Sequence, residues 1–405
     1  MKNERCPRWK INERALCALR GHRITWAILL ALSTSFSTLA QTARLRGTDV
    51  SEARFRRLQH GINTSHWFAQ ILGGRPYTRE HLESHTTEAD IRLIEAMGFD
   101  HVRLSVEPAP LWNQTDPAKL NAEYLSYLDR AIEKILAHDL AVIIDIHPTD
   151  EFKLKLRDDD RHAEAFARFW RALAAHLSRT DPERVFLEAI NEPMVEDGYR
   201  WMGIQAKLVA AMREGAPRHT IIACGHRWSG LGELLFLEPL ADRNVIYNLH
   251  FYEPMAFTHQ GATWAGPNLP SLRNVPYPVT PEAIAPLLAT LNDEKAREVL
   301  RAYGNARWNG ARIEAEIAKA AQWAARHGVR VICNEFGVYR RFSPPEARAA
   351  WLRDVRTALE KHGIGWTMWD YQGGFSVVQK VNGRIVPDEQ TLEALGLQRL
   401  SSSRR

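Results

Sequence analysis

Short apolar runs alternate with longer amphipathic stretches along the chain from about residue 58 onward. Most runs are nearly continuous in apolar residues, which is typical of parallel strands that are covered on both faces. The stretches between them repeat apolar residues at helical spacing. The predicted strands are Leu58–Asn63, His101–Val106, Leu140–His147, Arg184–Glu192, Thr220–Gly225, Val245–His250, Val329–Glu335 and Ile364–Trp369.

Two of the predicted helices have clear boundary signals. Thr87 and Asp90 resemble the two halves of a capping box, and Gly98 closes the helix that they begin. Ser343 is expected to cap a second helix, which has proline at its first position and ends at Gly363. These signals support the alternation of strands and helices.

Eight β/α units in about 300 residues match an α/β fold of the (β/α)₈ barrel type in count and length. A doubly wound open sheet is the alternative, but it should show a glycine-rich turn after its first strand, and His60–Thr64 holds no such motif. We predict one barrel domain over residues 58–395, a lead-in over 41–57 and a flexible tail over 396–405. A connection of about 60 residues follows the sixth strand and is expected to form one wall of a site.

The first 40 residues have the order of an export signal. Basic residues precede the apolar segment Ile24–Leu32, and small residues at Thr38 and Ala40 fit a cleavage site before Gln41. The apolar segment is too short for a comfortable membrane span. We therefore predict a signal peptide over residues 1–40, a periplasmic or secreted mature protein, and no stable membrane insertion after cleavage.

Charge and cysteine content exclude several classes of protein. The formal net charge is +5, and the first 23 residues account for all of it, with seven Lys or Arg against two Glu. The remainder is close to neutral, so no nucleic-acid partner is expected, and the mature protein is expected to be a monomer.

Cys6 and Cys17 would leave with the leader. Cys224 and Cys333 fall in predicted strands and are expected to be buried free thiols.

Two glutamates stand at matched places in the predicted barrel. Glu192 and Glu335 each follow a short β-branched and apolar run, and about 140 residues separate them. An ionised carboxylate is rarely buried without a partner, because leaving water costs several kcal/mol or more. Two such carboxylates facing one pocket are what the cleavage of a glycosidic bond requires.

Other residues that suit sugar chemistry fall at the ends of the remaining predicted strands. Taken alone, each could have a purely structural role, as an ion-pair partner, a core histidine or a packing aromatic. At one rim of a barrel they jointly predict an active site. They are Asn63, His66, Trp67, Arg103, Asp145, His147, Asn191, His226, Trp228, His250, Tyr252, Asn334, Trp369 and Asp370.

From about His60 to Val378, the chain resembles glycoside hydrolase family 5, the cellulase-type retaining enzymes. Asn191-Glu192-Pro193 is similar to the acid/base motif of that family, and Asn334-Glu335-Phe336-Gly337 to its nucleophile motif. The resemblance implies a (β/α)₈ barrel that hydrolyses a carbohydrate without a cofactor or metal. It also implies that six further positions bind substrate, namely Arg103, His147, Asn191, His250, Tyr252 and Trp369.

The two glutamates need opposite protonation states. Glu192 must hold a proton for the leaving oxygen, so we expect burial and the second carboxylate to raise its pKa. Pro193 is expected to hold Glu192 in an extended backbone. Glu335 must stay ionised as the nucleophile, which a nearby Arg103 and the Tyr252 hydroxyl would favour.

The remaining roles concern the sugar itself. Asn191 is suited to bind a sugar 2-hydroxyl, a contact that strengthens in the oxocarbenium-like transition state. Trp369 is expected to stack beneath the reacting ring. Trp67 and Trp228 are candidate platforms for neighbouring sugars.

Two other classes of function are open at this point. A metal-dependent barrel hydrolase would use His147, His226 and His250 with Asp145 as ligands, but it would leave the two glutamates without a role. A non-catalytic carbohydrate-binding barrel would most simply have lost one glutamate, and both are present.

The substrate is less constrained than the reaction, because fold and catalytic pair do not choose among β-glycans. An endo-β-1,4-glucanase is the first expectation. A β-1,3-glucan exo-hydrolase, a β-glucosidase and a β-mannanase are alternatives on the same residues. The long connection after the sixth strand could block one end of a cleft, which would favour exo action or short substrates.

Overall fold

The computed structural model describes residues 47–71 and 76–397. The predicted signal peptide and the end of the predicted tail, from residue 398 onward, lie outside the described residues. Among the described helices, none is long and apolar enough to cross a membrane.

Eight parallel strands close into a barrel in chain order, as the apolar runs predict. The strands are β1 (His60–Thr64), β2 (His101–Val106), β3 (Ala141–Ile146), β4 (Val185–Glu188), β5 (Thr220–Cys224), β6 (Val245–Phe251), β7 (Arg330–Phe336) and β8 (Gly365–Met368). β8 closes the barrel on β1, with Thr367 beside Gly61. The α/β barrel prediction is confirmed.

Helices pack around this barrel and fill the connections. They are α1 (Glu52–Arg56), α2 (Ser65–Phe68), α3 (Arg79–Ser84), α4 (Glu88–Met97), α5 (Ala122–Leu136), α6 (Asp150–Asp158), α7 (Asp160–Leu177), α8 (Gly198–Gly215), α9 (Leu231–Phe236), α10 (Met255–Thr258), α11 (Pro281–Thr290), α12 (Glu294–Ala306), α13 (Gly310–His327), α14 (Pro345–Lys361) and α15 (Glu389–Ala394). The capping box of Thr87 and Asp90 is present, and Gly98 ends α4 in a left-handed conformation.

Inside the barrel, the side chains change from apolar at the bottom to polar at the top. Phe55 of α1 joins Ile143, Phe186, Ile246 and Ile332 in one buried cluster, so the predicted lead-in closes the floor of the barrel. Successive inward positions of a strand are two residues apart. The inward positions above this floor are Asp145, Glu188, Asn248 and Asn334, all buried.

Three local features differ from the sequence prediction or add to it. The connection after β6 is not a plain loop, since it contains α10, α11 and α12. An antiparallel hairpin of β9 (Val378–Val381) and β10 (Arg384–Pro387) follows the barrel and was not predicted. Ser343 is not a helix cap, because α14 begins directly after Pro344 with no side-chain cap.

The two cysteines within the described residues are buried and unpaired, as expected. Burial raises the pKa of both the Cys224 and the Cys333 thiol, so neither is a reactive thiolate.

Candidate active site

A cleft of about 1150 Å³ opens at the carboxyl ends of the barrel strands. Both predicted catalytic glutamates line it, and so do six of the eight predicted binding residues. These six are His147, Asn191, Trp228, His250, Tyr252 and Trp369. The parallel strands therefore bring together residues that are up to 222 positions apart in the chain, between His147 and Trp369.

Glu335 is held by two hydrogen-bond donors. Arg103 Nη1 donates to Glu335 Oε1 at 2.7 Å, and the Tyr252 hydroxyl donates to Oε2 at 2.9 Å. Burial, and then the charge of Glu335, hold the pKa of Tyr252 well above its usual value, so the hydroxyl remains a donor. Both oxygens are thus fixed in direction, which suits a group that must attack one carbon atom.

Glu192 reaches the cleft from a strained turn. β4 ends at Glu188, four residues before Glu192, although the backbone of Asn191 still donates to Ile146 of β3 at 2.8 Å. Glu192 has a φ of 45°, in the left-handed region, so the extended backbone expected before Pro193 is wrong. A strained conformation at such a place persists only where the surrounding structure holds it.

The pKa of Glu192 moves in the direction opposite to the sequence expectation. Burial raises it, but the hydrogen bond from His250 Nδ1 to Glu192 Oε1 at 2.9 Å and the charge of His250 outweigh burial, and the pKa falls to about 2. In turn, the charge of Glu335 and the contact with Glu192 raise the pKa of His250 against the effect of burial. These opposite directions favour the ion pair in which His250 holds the proton and Glu192 is a carboxylate.

The two carboxylates predicted to be catalytic are close together. One oxygen of Glu192, one oxygen of Glu335 and one ring nitrogen of His250 lie within 4.8 Å of one another. Enzymes that invert configuration separate their carboxyl groups by about 6.5–9.5 Å to admit a water molecule, whereas retaining enzymes keep them about 5–5.5 Å apart. The observed spacing fits direct attack by one carboxylate.

Arg103 lies beneath the cleft and does not line it. Its side chain is fully buried, and it donates to Glu188 through Nε and Nη2, each at 2.8 Å, as well as to Glu335. Asp145 is 3.1 Å from Nη2. The prediction that Arg103 contacts substrate is therefore wrong in detail. Arg103 instead positions Glu335 from beneath the floor of the cleft.

Glu188 is a component of the site that sequence reasoning missed. It is fully buried and accepts hydrogen bonds from Arg103, from Asn248 at 2.9 Å and from Asn334 at 2.7 Å. Burial raises the pKa of Glu188, while the charge of Arg103 opposes this. A signal was available, because an acidic residue ends the apolar run from Val185.

Replacing Arg103 should destabilise the fold as well as the site. Arg103→Met would leave buried Glu188 and Asp145 without their cation, which costs about 3–5 kcal/mol of unfolding free energy. Arg103→Lys keeps the charge but loses the bidentate fork, so it should cost less. Urea unfolding followed by circular dichroism measures both. Equal stability of Arg103→Met and the wild type would contradict this assignment.

His147, Asn191 and Trp369 form one connected wall of the cleft. His147 Nδ1 donates to Asp145 at 2.8 Å, and the Asn191 amide donates to His147 Nε2 at 3.1 Å. Burial lowers the pKa of His147 to about 3, so the ring is neutral and able to accept. The ring also stacks on Trp369, with centroids 5.7 Å apart. These contacts hold Asn191 and Trp369 in place where both line the cleft.

The predicted tryptophan platforms differ in their exposure. Trp67 is 1% exposed and donates to the carbonyl of Leu82 at 2.8 Å, so it packs below the rim and cannot contact sugar. That prediction is wrong. Trp228 lines the cleft and is 51% exposed. Trp264, which the sequence reading did not single out as a platform, also lines it and is 61% exposed.

Further cleft residues had not been predicted. Gln70 donates to His147 at 3.0 Å, and Glu107 and Lys153 line the cleft with little exposure. Burial raises the pKa of Glu107 to about 7. These residues lie in loops and helix turns, where side-chain direction cannot be read from the strand pattern.

The ligand set of the metal-hydrolase alternative is not assembled. Within residues 47–71 and 76–397, the one group of His, Cys, Asp and Glu with metal-ligand spacing is Glu192, His250 and Glu335. Of the four residues in the alternative, this group contains His250 alone. His147 and Asp145 are bonded to each other, and the His226 ring contacts Phe236.

The profile of the cellulase family, glycosyl hydrolase family 5, matches residues 54–374. The chain belongs to glycosyl hydrolase family 5. This family 5 protein is a glycosyl hydrolase, and the two motifs predicted to be catalytic, at Glu192 and Glu335, lie within the matched range.

Relatives of this family 5 hydrolase extend over most of its length. Endoglucanase C of Acetivibrio thermocellus is 28% identical over 318 residues, which cover 77% of this chain and 90% of the relative. Cellodextrinase A of Ruminococcus flavefaciens is 27% identical over 318 residues, covering 76% and 84%. Thermotoga maritima Cel5A, solved in complex with cellobiose, superposes with a TM-score of 0.70 at 23% identity, covering 84% of this chain and 98% of that one. This last likeness concerns the fold.

Proposed function

We propose that this protein is a retaining endo-β-1,4-glucanase, with Glu335 as nucleophile and Glu192 as acid/base. The observation that carries the mechanism is the spacing of the two carboxylates, since one oxygen of Glu192 lies within 4.8 Å of one oxygen of Glu335. The donors on Glu335 and the histidine on Glu192 give the two groups different environments, as the two roles require.

In the first step, Glu335 attacks the anomeric carbon and forms a glycosyl ester. The glycosidic bond breaks, and its oxygen takes a proton from Glu192, which receives that proton from His250 Nδ1 across 2.9 Å. Arg103 and Tyr252 hold Glu335 in line. Asn191 binds the 2-hydroxyl as positive charge develops on the ring.

In the second step, a water molecule enters on the side of Glu192, which now accepts a proton. The water oxygen bonds to the anomeric carbon, and the ester bond to Glu335 breaks. Two displacements at one carbon give net retention of configuration.

The proton shared by Glu192 and His250 should set the alkaline limit of activity. The first step requires one proton on this pair. Because Glu335 and Glu192 raise the pKa of His250 above its ordinary 6.5 despite its burial, the pair keeps this proton as the pH rises through 6.5 and loses it above that value. A pH profile of kcat/KM should therefore fall above pH 6.5. A fall centred near 4.5, the ordinary value for a glutamate, would contradict this pairing.

The cleft supports a polymeric substrate. Its volume of about 1150 Å³ exceeds the roughly 300–1,000 Å³ of sites for drug-sized ligands, so it can hold several sugar rings. Trp228 and Trp264 expose flat faces on which further rings can stack. The names endoglucanase and cellodextrinase among the relatives support a β-1,4-glucan.

Product analysis tests the substrate. Soluble cellulose derivatives, mannan, β-1,3-glucan and an aryl β-glucoside should be compared at equal enzyme concentration. An endo-β-1,4-glucanase lowers the viscosity of soluble cellulose before much reducing sugar appears. Faster release of reducing sugar from mannan or β-1,3-glucan would mean that this other polymer, and not β-1,4-glucan, is the preferred substrate. Release of single sugars without a fall in viscosity would indicate exo action, with the long connection after β6 closing one end.

We also propose that residues 1–40 are an export signal, so that the enzyme acts outside the cytoplasm. The order of basic, apolar and small residues supports this. N-terminal sequencing of the periplasmic or secreted protein should find Gln41 or a neighbouring residue first. An intact Met1 there would reject the proposal.

A further inference from the structure

A small group of aromatic rings is exposed on the surface next to the cleft. Tyr199 is 75% exposed and Phe236 is 41% exposed, and their ring centroids lie 5.1 Å apart. The ring of His226 is 5.4 Å from that of Phe236. We refer to Tyr199, His226 and Phe236 as the outer aromatic patch. None of the three lines the cleft.

The local backbone supports the patch. A Cβ atom at Gly198 would lie 2.3 Å from the Phe236 ring, so glycine at this position lets the ring pack directly on the start of α8. Tyr199 follows immediately, with its backbone N–H bonded to Asp197 at 2.9 Å. The Phe236 ring and the backbone that carries Tyr199 are therefore held in place, while both rings are open to solvent.

The patch is continuous with the cleft through one loop. His226 belongs to the patch and Trp228 to the cleft, two residues apart on the loop after β5. This loop is bonded to the loop after β4, where Trp228 N–H donates to Pro193 at 3.1 Å and Val195 N–H donates to His226 at 3.4 Å. Trp228 and Ser229 both have left-handed φ values, 52° and 55°. Strain of this kind is typical of functional loops.

We propose that the outer aromatic patch binds the β-glucan chain where it leaves the cleft beyond Trp228. This inference rests on the proposed function and extends it to a second binding site outside the cleft. The ligand is a neutral polysaccharide, whose sugar rings offer C–H faces to the faces of Tyr199 and Phe236. Binding there retains the polymer near the catalytic glutamates and has no effect on a substrate that ends inside the cleft.

The size of the patch favours a polysaccharide over a protein partner. A specific protein interface buries about 800 Å² on each partner. An aromatic side chain offers about 150–250 Å² even when all of it is buried, so two partly covered rings supply well below that area. A single extended chain needs only a few such surfaces, which the exposed rings of Trp228, Phe236 and Tyr199 provide.

Two single variants and two controls test this site. Tyr199→Ala and Phe236→Ala should each lower kcat/KM on long soluble β-1,4-glucan by about 2- to 10-fold, with kcat/KM on an aryl β-cellobioside unchanged. Tyr199→Phe keeps the ring and should retain wild-type activity on polymer. Leu235→Ala removes an exposed neighbour that is not aromatic, and it should also behave as the wild type. Thermal unfolding of each variant confirms that the fold is kept.

Gel electrophoresis through soluble β-glucan separates this proposal from the proposed function. The wild type should be retarded more than Tyr199→Ala and Phe236→Ala, whether or not it cleaves the polymer. If the wild type cleaves no β-glucan, the proposed function fails, while the difference in retardation still reports on the patch. Equal retardation of the wild type and both alanine variants, or an equal loss of activity on polymer and aryl cellobioside, would overturn the outer site.

Discussion

Glu335→Ala should abolish turnover of every substrate. The substitution removes the atom that forms the bond to the anomeric carbon, so neither a natural polymer nor an activated aryl glycoside can enter the first step. Loss of such a nucleophile typically lowers kcat by about 10⁴- to 10⁶-fold. Release of the phenolate from an aryl β-cellobioside measures the effect, and urea unfolding verifies that the variant is folded.

Added azide gives the sharper outcome for this variant. In Glu335→Ala, azide can occupy the space of the carboxylate and attack the anomeric carbon once, which gives a glycosyl azide of inverted configuration. A glycosyl azide of retained configuration would mean that another residue is the nucleophile. Glu188→Gln serves as a comparison, because Glu188 is a carboxylate bonded to Arg103 that does not line the cleft.

Glu192→Ala should separate substrates by their leaving groups. It removes the proton donor, which contributes about 10²–10⁴-fold when the leaving group is poor. A natural polysaccharide should therefore remain uncut. An aryl glycoside with an acidic phenol needs little protonation and should still form the ester on Glu335. Its hydrolysis should then stop at that ester, because no base activates water.

Release of the glycosyl ester formed by Glu192→Ala, which is the second step of the reaction, serves as the control. Azide needs no base, so it should release the ester and yield a glycosyl azide of retained configuration. If Glu192→Ala loses the aryl substrate and the polymer to the same extent while it stays folded, Glu192 is not the acid/base. His250→Asn offers a matched comparison, since it removes the proton source next to Glu192 and leaves the carboxylate in place.

The barrel could be predicted because its signals are local. The eight apolar runs can be recognised from strand periodicity alone. The helix ends at Thr87 and Gly98 can be recognised from the rules of helix capping. The two glutamates could be found for a related reason, since a carboxylate after a buried run is costly unless it has a function. Strand order then places Glu192 and Glu335 at one rim.

Other features depend on side-chain direction and on contacts between distant loops. Trp67 stands at the end of the first predicted strand, but α2 turns its ring into the core, where it donates to Leu82. Arg103 points into the barrel, so it acts on Glu335 from below. The left-handed backbone of Glu192 results from packing around its loop, and no local rule indicates it before a proline.

The pKa of Glu192 is another property that the sequence alone could not predict. Burial and a second carboxylate were expected to raise it, and burial does act in that direction. The decisive contact is His250, which belongs to a different strand. Its distance from Glu192 can be known only from the folded structure.

The anomer that forms first tests the mechanism most directly. Proton NMR spectra recorded during the earliest hydrolysis of a β-1,4-linked oligosaccharide distinguish the β-anomer from the α-anomer before mutarotation mixes them. Two displacements through an ester on Glu335 predict that the β-anomer appears first. Initial formation of the α-anomer would show a single displacement by water and would contradict the assignment of Glu335 as nucleophile.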